Sequence, residues 1–262
     1  MKPGEKFEKE CYEYLKSKYA SKTAKFIHKG GMNSTESDIA VIKNEEIDFY
    51  IEAKDTLAQS GQFVLIPQED IEKFKFSDKN KSEQNEMTDI IIKYMNNDFY
   101  KFNNVGTAGE EIKIDTSIFS RWIINHYKEK NVKYVISYDE NYVILPIRKF
   151  DSYFEISAIY RIKKSGSGKP AKKDREAIKE VIKKNYPSAK FSIEEEKFLV
   201  NIEDSLILKD FKLGNYTYHF SKKLNNFEIR RLSNTYNRNV IFSIKLIKSQ
   251  DVDDLKEFEN DL

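Results

Sequence analysis

The stretch from residue 38 to residue 54 constrains the fold most, because it carries the pattern of a β-hairpin. Ile39-Ala40-Val41-Ile42 is a strand-forming apolar run, and Lys43-Asn44-Glu45-Glu46-Ile47 is a polar turn. The segment after the turn alternates apolar and polar side chains as far as Lys54. With this turn, opposed residues have numbers that sum to about ninety, and one face of the hairpin, with Phe49, Ile51 and Ala53, is buried.

The polar side chains of this hairpin converge at its open end. Asp38 is predicted to lie opposite Glu52, with Cβ atoms about 4.5–5.5 Å apart, and Lys54 points the same way as Glu52. Two carboxylates at that spacing suit a hard cation such as Mg²⁺, which prefers oxygen ligands at about 2.0–2.1 Å. A lysine beside the ion can orient an attacking water and balance phosphate charge. The pattern therefore predicts a site for phosphodiester cleavage, with an ordinary surface salt bridge as the alternative.

Ser37-Asp38 and Glu52-Ala53-Lys54 together resemble the signature of the PD-(D/E)xK nuclease superfamily, and within it the type II restriction endonucleases. Ser37 stands where the family has a proline, a departure that does not touch a ligand. The resemblance implies an α/β fold, with a mixed central β-sheet flanked by helices. It further implies dependence on Mg²⁺, with Asp38 and Glu52 as metal ligands and Lys54 as a catalytic residue.

Two further residues are candidates for the same site. Glu8 lies on a helix predicted over residues 4–19, beside its apolar stripe, and relatives often carry a glutamate there that reaches the metal. Alternatively, Glu8 is simply one of many solvated charges on the helix. Gln62 follows the Glu52-Ala53-Lys54 strand, and glutamines at such positions enter the site in some relatives. The alternative is a turn residue at the start of a core strand.

Composition bounds the class of protein. The 262 residues can form one large domain or two small ones. The single cysteine, Cys11, rules out an internal disulfide and suits a reducing cytoplasm. No apolar run approaches the roughly 20 residues of a membrane helix, and no signal-peptide core follows the first residues. His28, His126 and His219 are scattered, and no Cys/His spacing indicates zinc. We therefore expect a cytoplasmic protein without a membrane segment.

Charge is distributed unevenly along the chain. Residues 1–150 hold 23 basic and 25 acidic side chains, whereas residues 161–248 hold 21 basic and 10 acidic ones. Neutralisation of phosphates by basic residues supplies much of the affinity for DNA. We therefore predict a catalytic core over residues 1–150 and a basic α+β DNA-recognition region over residues 151–262, with a soft boundary. An ordinary lysine-rich surface is the alternative.

Two segments of the basic region are candidates for DNA contact. Residues 160–170 leave a strand, become rich in glycine, serine and lysine, and lead into a helix from about residue 172 to 185. Residues 227–239 concentrate arginine and asparagine, which can pair with guanine and adenine, on a predicted turn before a strand. The alternatives are a mobile basic loop and a turn formed for local reasons. The side chains predicted to contact DNA are Arg161, Lys163, Lys164, Lys169, Lys172, Lys173, Arg230, Arg231, Asn234, Asn237 and Arg238.

The sequence thus predicts a Mg²⁺-dependent, sequence-specific endonuclease of restriction type that cuts double-stranded DNA. Symmetric cleavage of both strands suggests a homodimer, and a restriction role implies a partner DNA methyltransferase. A repair or recombination nuclease of the same fold, such as a junction resolvase or nicking enzyme, would share the site. A non-catalytic DNA-binding module with Asp38, Glu52 and Lys54 as a structural ion cluster is the third hypothesis.

Overall fold

A computed structural model describes residues 3–30, 37–202, 208–223 and 226–262. The chain forms two compact units, one made of the residues up to Arg161 together with Arg238–Leu262 and the other of Ile162–Asn237. None of the helices in the described ranges combines the length and the apolar composition that crossing a membrane requires.

The described residues form seven α-helices and sixteen strands. The α-helices are α1 (Pro3–Lys18), α2 (Glu86–Asn96), α3 (Phe99–Asn103), α4 (Thr116–Glu129), α5 (Phe150–Tyr153), α6 (Arg175–Asn185) and α7 (Val252–Asn260). The strands are β1 (Lys25–His28), β2 (Ile39–Lys43), β3 (Glu46–Ala53), β4 (Leu57–Gln68), β5 (Lys73–Phe76), β6 (Glu110–Glu111), β7 (Val132–Asp139), β8 (Asn141–Pro146), β9 (Phe154–Lys164), β10 (Ser167–Gly168), β11 (Lys190–Glu194), β12 (Lys197–Asn201), β13 (Phe211–Leu213), β14 (Tyr216–Lys222), β15 (Phe227–Leu232) and β16 (Tyr236–Leu246). Short 3₁₀ turns cover Ile147–Lys149 and Lys172–Asp174.

The first sheet of the larger unit has the strand order β1-β2-β3-β7-β8. β3 and β7 run parallel, and the other neighbours are antiparallel. A parallel pair needs a long crossover, which the chain from β4 to α4 provides. The predicted α/β class, with a mixed β-sheet flanked by helices, is confirmed.

Both faces of this sheet are buried, so its strands are held firmly. Tyr134 and Ile136 of β7 face a core that includes Cys11 and Leu15 of α1, whereas Val135 faces the core that contains α4. Alternate residues of one strand thus enter different cores. Burial of apolar surface, at about 25 cal/mol per Å², stabilises the hairpin from both sides.

The hairpin of β2 and β3 reaches the predicted register by a different turn. The turn is Asn44-Glu45 alone, with φ of 50° and 69°, so the five-residue turn was wrong. Such a two-residue turn pairs Lys43 with Glu46, but an irregularity at Asp48 shifts the register, so that Ile39 faces Ile51. Asp38 therefore precedes β2 opposite Glu52, as the sequence predicts.

The second sheet of the larger unit has the order β5-β4-β16-β9-β6. β4 contains a bulge, because Gln62 faces Ile241 while Gln59 faces Ser243. Gly61 lies in this bulge with φ of +118°, and a Cβ atom there would lie 2.6 Å from the Trp122 ring. Glycine is therefore required where β4 crosses this tryptophan.

The smaller unit is built on an antiparallel sheet with the order β11-β12-β15-β14-β13, with β10 beside β15. Ile178 and Ile182 of α6 enter its core, where they join Tyr218 and Ile229. Residues 162–237 carry 17 basic and 10 acidic side chains. The positive surplus expected of a DNA-contacting region therefore lies within one compact unit.

The structural division differs from the boundary predicted near residue 150. Residues 151–161 and 238–262 belong to the larger unit, because β9 and β16 are strands of its second sheet. The predicted turn over residues 227–239 is also corrected. The segment instead contains two strands of different sheets, β15 and β16, connected by Ser233-Asn234-Thr235. Arg230 and Arg231 therefore lie on a strand.

Candidate active site

Asp38, Glu52 and Lys54 meet where β2 begins and β3 ends. Asp38 Oδ2 accepts a hydrogen bond of 2.9 Å from the backbone N–H of Ala53. The backbone N–H of Lys54 donates to the carbonyl oxygen of Ile136 at 2.9 Å, which extends the parallel pairing with β7. The sheet thus fixes the backbone of all three candidate residues.

Lys54 and Glu52 form a direct ion pair. The Nζ atom of Lys54 lies 2.7 Å from Glu52 Oε1, and the two side chains are only 16% and 10% exposed. Burial works to lower the pKa of Lys54, but the adjacent Glu52 carboxylate outweighs it and holds the pKa well above its ordinary value. Lys54 is therefore a fixed cation at neutral pH.

The negative charge of the Asp38 carboxylate is only partly compensated by its neighbours. Burial and the neighbouring Glu52 raise the pKa of Asp38 to about 7, while Lys54 and the hydrogen bond from Ala53 act in the opposite direction. The single lysine is already paired with Glu52. An added cation would therefore stabilise the ionised form of Asp38.

Glu8 is brought to the same region from α1. Burial raises the pKa of Glu8, Lys54 and His28 oppose the rise, and Glu52 adds to it, so these side chains lie within electrostatic range of one another. Glu8 Oε2 lies 3.9 Å from His28 Nε2, and both atoms are buried without a hydrogen-bond partner. A Cβ atom at Gly30 would lie 2.2 Å from Glu8 Oε2, so any larger residue at position 30 would displace this carboxylate.

The donor set fits a hard divalent cation. Electrostatic interactions link the carboxylates of Glu8, Asp38 and Glu52 with Lys54, and Glu8 keeps a buried oxygen without a hydrogen-bond partner. In the described part of the chain, no group of three or more His, Cys, Asp or Glu side chains is arranged to hold a metal by itself. Mg²⁺ commonly takes only one or two carboxylates and completes its shell with water and substrate phosphate. Asp38 and Glu52 supply that minimal pair.

Gln62 is exposed, and the cavity that it borders is not lined by Asp38, Glu52 or Lys54. Its Oε1 accepts a hydrogen bond of 3.1 Å from Gln59, and it lines a cavity of about 710 Å³ together with His126. Burial, with the nearby Lys130, lowers the pKa of His126 to about 4, and Glu52 and Lys54 also act on this ring. His126 is therefore neutral at neutral pH and within electrostatic range of the catalytic candidates.

Sequence reasoning did not identify His28, Ser60 or Tyr127 as neighbours of the site. His28 pairs with Ile39, directly after Asp38, and a prediction of the β1–β2 register would have found it. Tyr127 reads as a core residue of α4, and it is buried. No sequence signal shows that its hydroxyl meets Ser60 of β4.

The two predicted DNA-contacting segments come together in the smaller unit. The hydroxyl oxygens of Ser165 and Ser233 lie 2.9 Å apart, and those of Ser233 and Thr235 lie 2.7 Å apart. Lys164 Nζ lies 4.4 Å from the centroid of the Tyr236 ring, and the Arg231 guanidinium lies 4.5 Å from that of Tyr216. Cations supported by exposed tyrosines and flanked by hydroxyls form a surface suited to phosphates.

Several other side chains predicted to contact DNA instead bond to groups of the protein itself. Arg230 donates to Glu228 at 2.9 Å and to the Ser167 carbonyl oxygen at 2.7 Å. Arg238 and Arg161 both belong to the larger unit. Arg238 donates a hydrogen bond to Asn103, whereas the Nε atom of Arg161 is buried without a hydrogen-bond partner. Lys169 pairs with Glu196 at 3.0 Å. Lys163, Lys172, Lys173 and Asn234 are exposed, and Asn237 is half-buried.

Comparison with known proteins identifies one close structural relative. The structure of HhaI endonuclease in complex with DNA matches with a TM-score of 0.80 and 36% sequence identity, over 97% of this chain and 97% of that chain. The match therefore extends far beyond the hairpin. No protein-family model and no curated protein matches the sequence.

Proposed function

Because the chain belongs to the family of type II restriction endonucleases, we propose that it cuts double-stranded DNA at a specific sequence in a reaction that requires Mg²⁺. Membership of this family makes it a phosphodiester hydrolase and sets aside the non-catalytic module considered from the sequence. The convergence of Asp38, Glu52 and Lys54 at the end of one buried hairpin carries the proposal of mechanism.

Asp38 and Glu52 are the residues that would hold the metal ion. Their carboxylate oxygens are hard donors, and the raised pKa of Asp38 reflects negative charge that a cation would offset. A bound Mg²⁺ lowers the pKa of an attacking water and stabilises charge on the phosphate oxygens. Glu8, whose buried oxygen lacks a partner, is proposed to assist at the same place.

Lys54 contributes a permanent positive charge. Glu52 uses one of its three N–H donors, which leaves donors for a phosphate oxygen or the attacking water. Because its pKa is held high, it acts as a cation that stabilises the transition state and does not accept the water's proton. Gln62 is the remaining candidate for substrate contact, from the cavity that it lines with His126.

DNA is the substrate proposed for this chain, and the relative HhaI endonuclease was solved with DNA bound. The smaller unit has seven more basic than acidic side chains, 17 against 10, and its exposed lysines suit phosphate contacts. Since Arg230, Arg238 and Asn234 donate to protein acceptors, Arg231 is the stronger candidate for direct contact from residues 227–239. Binding should weaken steeply with salt, because each neutralised phosphate releases counterions.

Digestion of unmethylated DNA of known sequence tests the proposed function. With Mg²⁺ we expect discrete fragments whose ends define one recognition sequence, and no cleavage with EDTA or with Glu52→Ala. A matched control is Glu69→Ala, at an exposed glutamate away from the hairpin, which should cleave normally. A Mg²⁺-dependent smear would refute sequence specificity, and cleavage only of junctions would favour a resolvase. Cleavage that persists in EDTA would refute metal dependence.

The oligomeric state and the biological partner are also proposals. A homodimer would cut both strands of a symmetric site in one encounter, so supercoiled plasmid should convert directly to linear DNA. Accumulation of nicked circles would instead indicate a single active site that cuts the strands in turn. A restriction role also implies a DNA methyltransferase with the same recognition sequence. DNA methylated at the mapped site should therefore resist cleavage.

A further inference from the structure

A buried tyrosine lies beside the proposed catalytic lysine. The Nζ atom of Lys54 lies 6.0 Å from the centroid of the Tyr127 ring, near the limit of a cation–π contact. Tyr127 is only 2% exposed. Lysine has a long flexible side chain, and here Glu52 and this ring both lie beside its ammonium group.

The ring itself is fixed from a second element. The hydroxyl oxygens of Tyr127 and Ser60 lie 2.8 Å apart, and both residues are buried. Ser60 belongs to the bulge of β4, in which Ser60 and Gly61 lie opposite Phe242. A bulge can redirect a side chain out of the regular alternation of a strand, and Gly61 allows this one to pass the Trp122 ring.

We infer that Tyr127, anchored by Ser60, is a positioning residue that holds the ammonium group of Lys54 for cleavage. This inference rests on the proposed role of Lys54 in hydrolysis. Glu52 alone leaves the ammonium free to turn toward either carboxylate oxygen or toward solvent. The aromatic face removes part of that freedom and excludes water from one side of the cation, which strengthens its interaction with a phosphate.

Three variants separate the ring from its anchor. Tyr127→Leu removes the ring and should slow single-turnover cleavage by about 3- to 30-fold, the factor to which a desolvated cation–π contact corresponds. Tyr127→Phe and Ser60→Ala break the same hydrogen bond. They should slow cleavage by similar, smaller factors, and the double variant should be no slower than either. DNA affinity measured with Ca²⁺ in place of Mg²⁺ should stay at the wild-type value in all of them.

Tyr153→Phe is the matched control for a purely structural effect. Tyr153 is also buried, and its hydroxyl donates to Asp254 at 2.6 Å, a contact with α7. Loss of this bond should lower the melting temperature, as loss of the Ser60 bond in Tyr127→Phe should, but it should not lower the cleavage rate constant. If Tyr127→Leu does not fold, Tyr127→Phe and Ser60→Ala decide the question.

The outcomes distinguish this inference from the proposed function. If the wild type cleaves, Lys54→Ala does not, and the folded Tyr127 and Ser60 variants cleave at the wild-type rate, the positioning role is overturned and the function stands. A fall in affinity with an unchanged rate constant would also overturn it. If Lys54→Ala cleaves normally, the proposed function of the lysine fails instead.

Discussion

Asp38→Asn should make the metal-free protein more stable at alkaline pH while abolishing its activity. The folded state binds the Asp38 proton more tightly than the unfolded chain does, because burial and Glu52 raise the pKa of Asp38 to about 7. The stabilising contribution of protonated Asp38 is therefore fully present below the ordinary pKa, near 3.8, and is lost as pH rises through about 7. Asparagine keeps the shape and the acceptor for the Ala53 N–H but never ionises.

The size of the effect follows from the pKa. A rise from 3.8 to about 7 corresponds to at most about 4 kcal/mol at about 1.4 kcal/mol per pH unit. Of this, about 2.5 kcal/mol develops between about pH 5 and about pH 8. Urea unfolding in EDTA at these two pH values measures it. At the alkaline pH, the free energy of unfolding of Asp38→Asn should exceed that of the wild type, and this difference should be larger than at the acidic pH.

Asp261→Asn supplies a control of opposite sign. Although burial works to raise it, hydrogen bonds from Lys133 and Tyr134 lower the pKa of Asp261. Its ionised form stabilises the fold, and that contribution is lost as pH falls through the lowered pKa. Asp261→Asn should therefore destabilise the protein at about pH 8. The reasoning is refuted if Asp38→Asn is destabilising at that pH, or if its effect is the same at both pH values.

Three further outcomes follow from the same geometry. Mg²⁺ should raise the melting temperature more at about pH 8 than at about pH 5, because binding displaces the Asp38 proton; an equal rise, measured by differential scanning fluorimetry, would contradict this. Gly61→Ala should lower the free energy of unfolding by about 2 kcal/mol or more in urea titrations, since its Cβ would lie 2.6 Å from the Trp122 ring at a φ of +118°; a variant of wild-type stability would contradict it. Deletion of Asp48 should remove the extra residue of the bulge but leave Val41 opposite Phe49 and Asp38 opposite Glu52; a folded deletion variant, checked by circular dichroism, should therefore still cleave DNA, and loss of cleavage in a folded variant would contradict this.

The sequence predicts the hairpin well because its signal is local. The period-two alternation from Phe49 to Ala53 specifies which side chains are buried, and the predicted pairing of Asp38 with Glu52 agrees with the register. The turn was misjudged because Asn44 and Glu45 adopt the left-handed conformation together. Their tight turn is compensated by a bulge, and no composition rule indicates that compensation.

Contacts between distant segments could not be predicted. The bond between Ser60 and Tyr127 joins residues 67 positions apart, and nothing in either local pattern indicates it. Arginine and asparagine near residue 230 suggested one turn, but β-branched and aromatic neighbours extend both strands. On the strand, Arg230 then bonds to Glu228 two residues earlier and to the Ser167 carbonyl oxygen of a distant segment. Which polar side chains remain free for a ligand is decided by packing, which a single sequence does not specify.

We propose that Glu52 and Lys54 act on the phosphate through a metal-dependent reaction at the hairpin. Single-turnover cleavage of one cognate duplex by Glu52→Gln and Lys54→Met, at enzyme concentrations that saturate binding, tests it most directly. Both variants should bind the duplex normally in Ca²⁺ yet cleave roughly 1,000-fold or more slowly than the wild type in Mg²⁺. Cleavage by either variant within about tenfold of the wild-type rate would contradict the account.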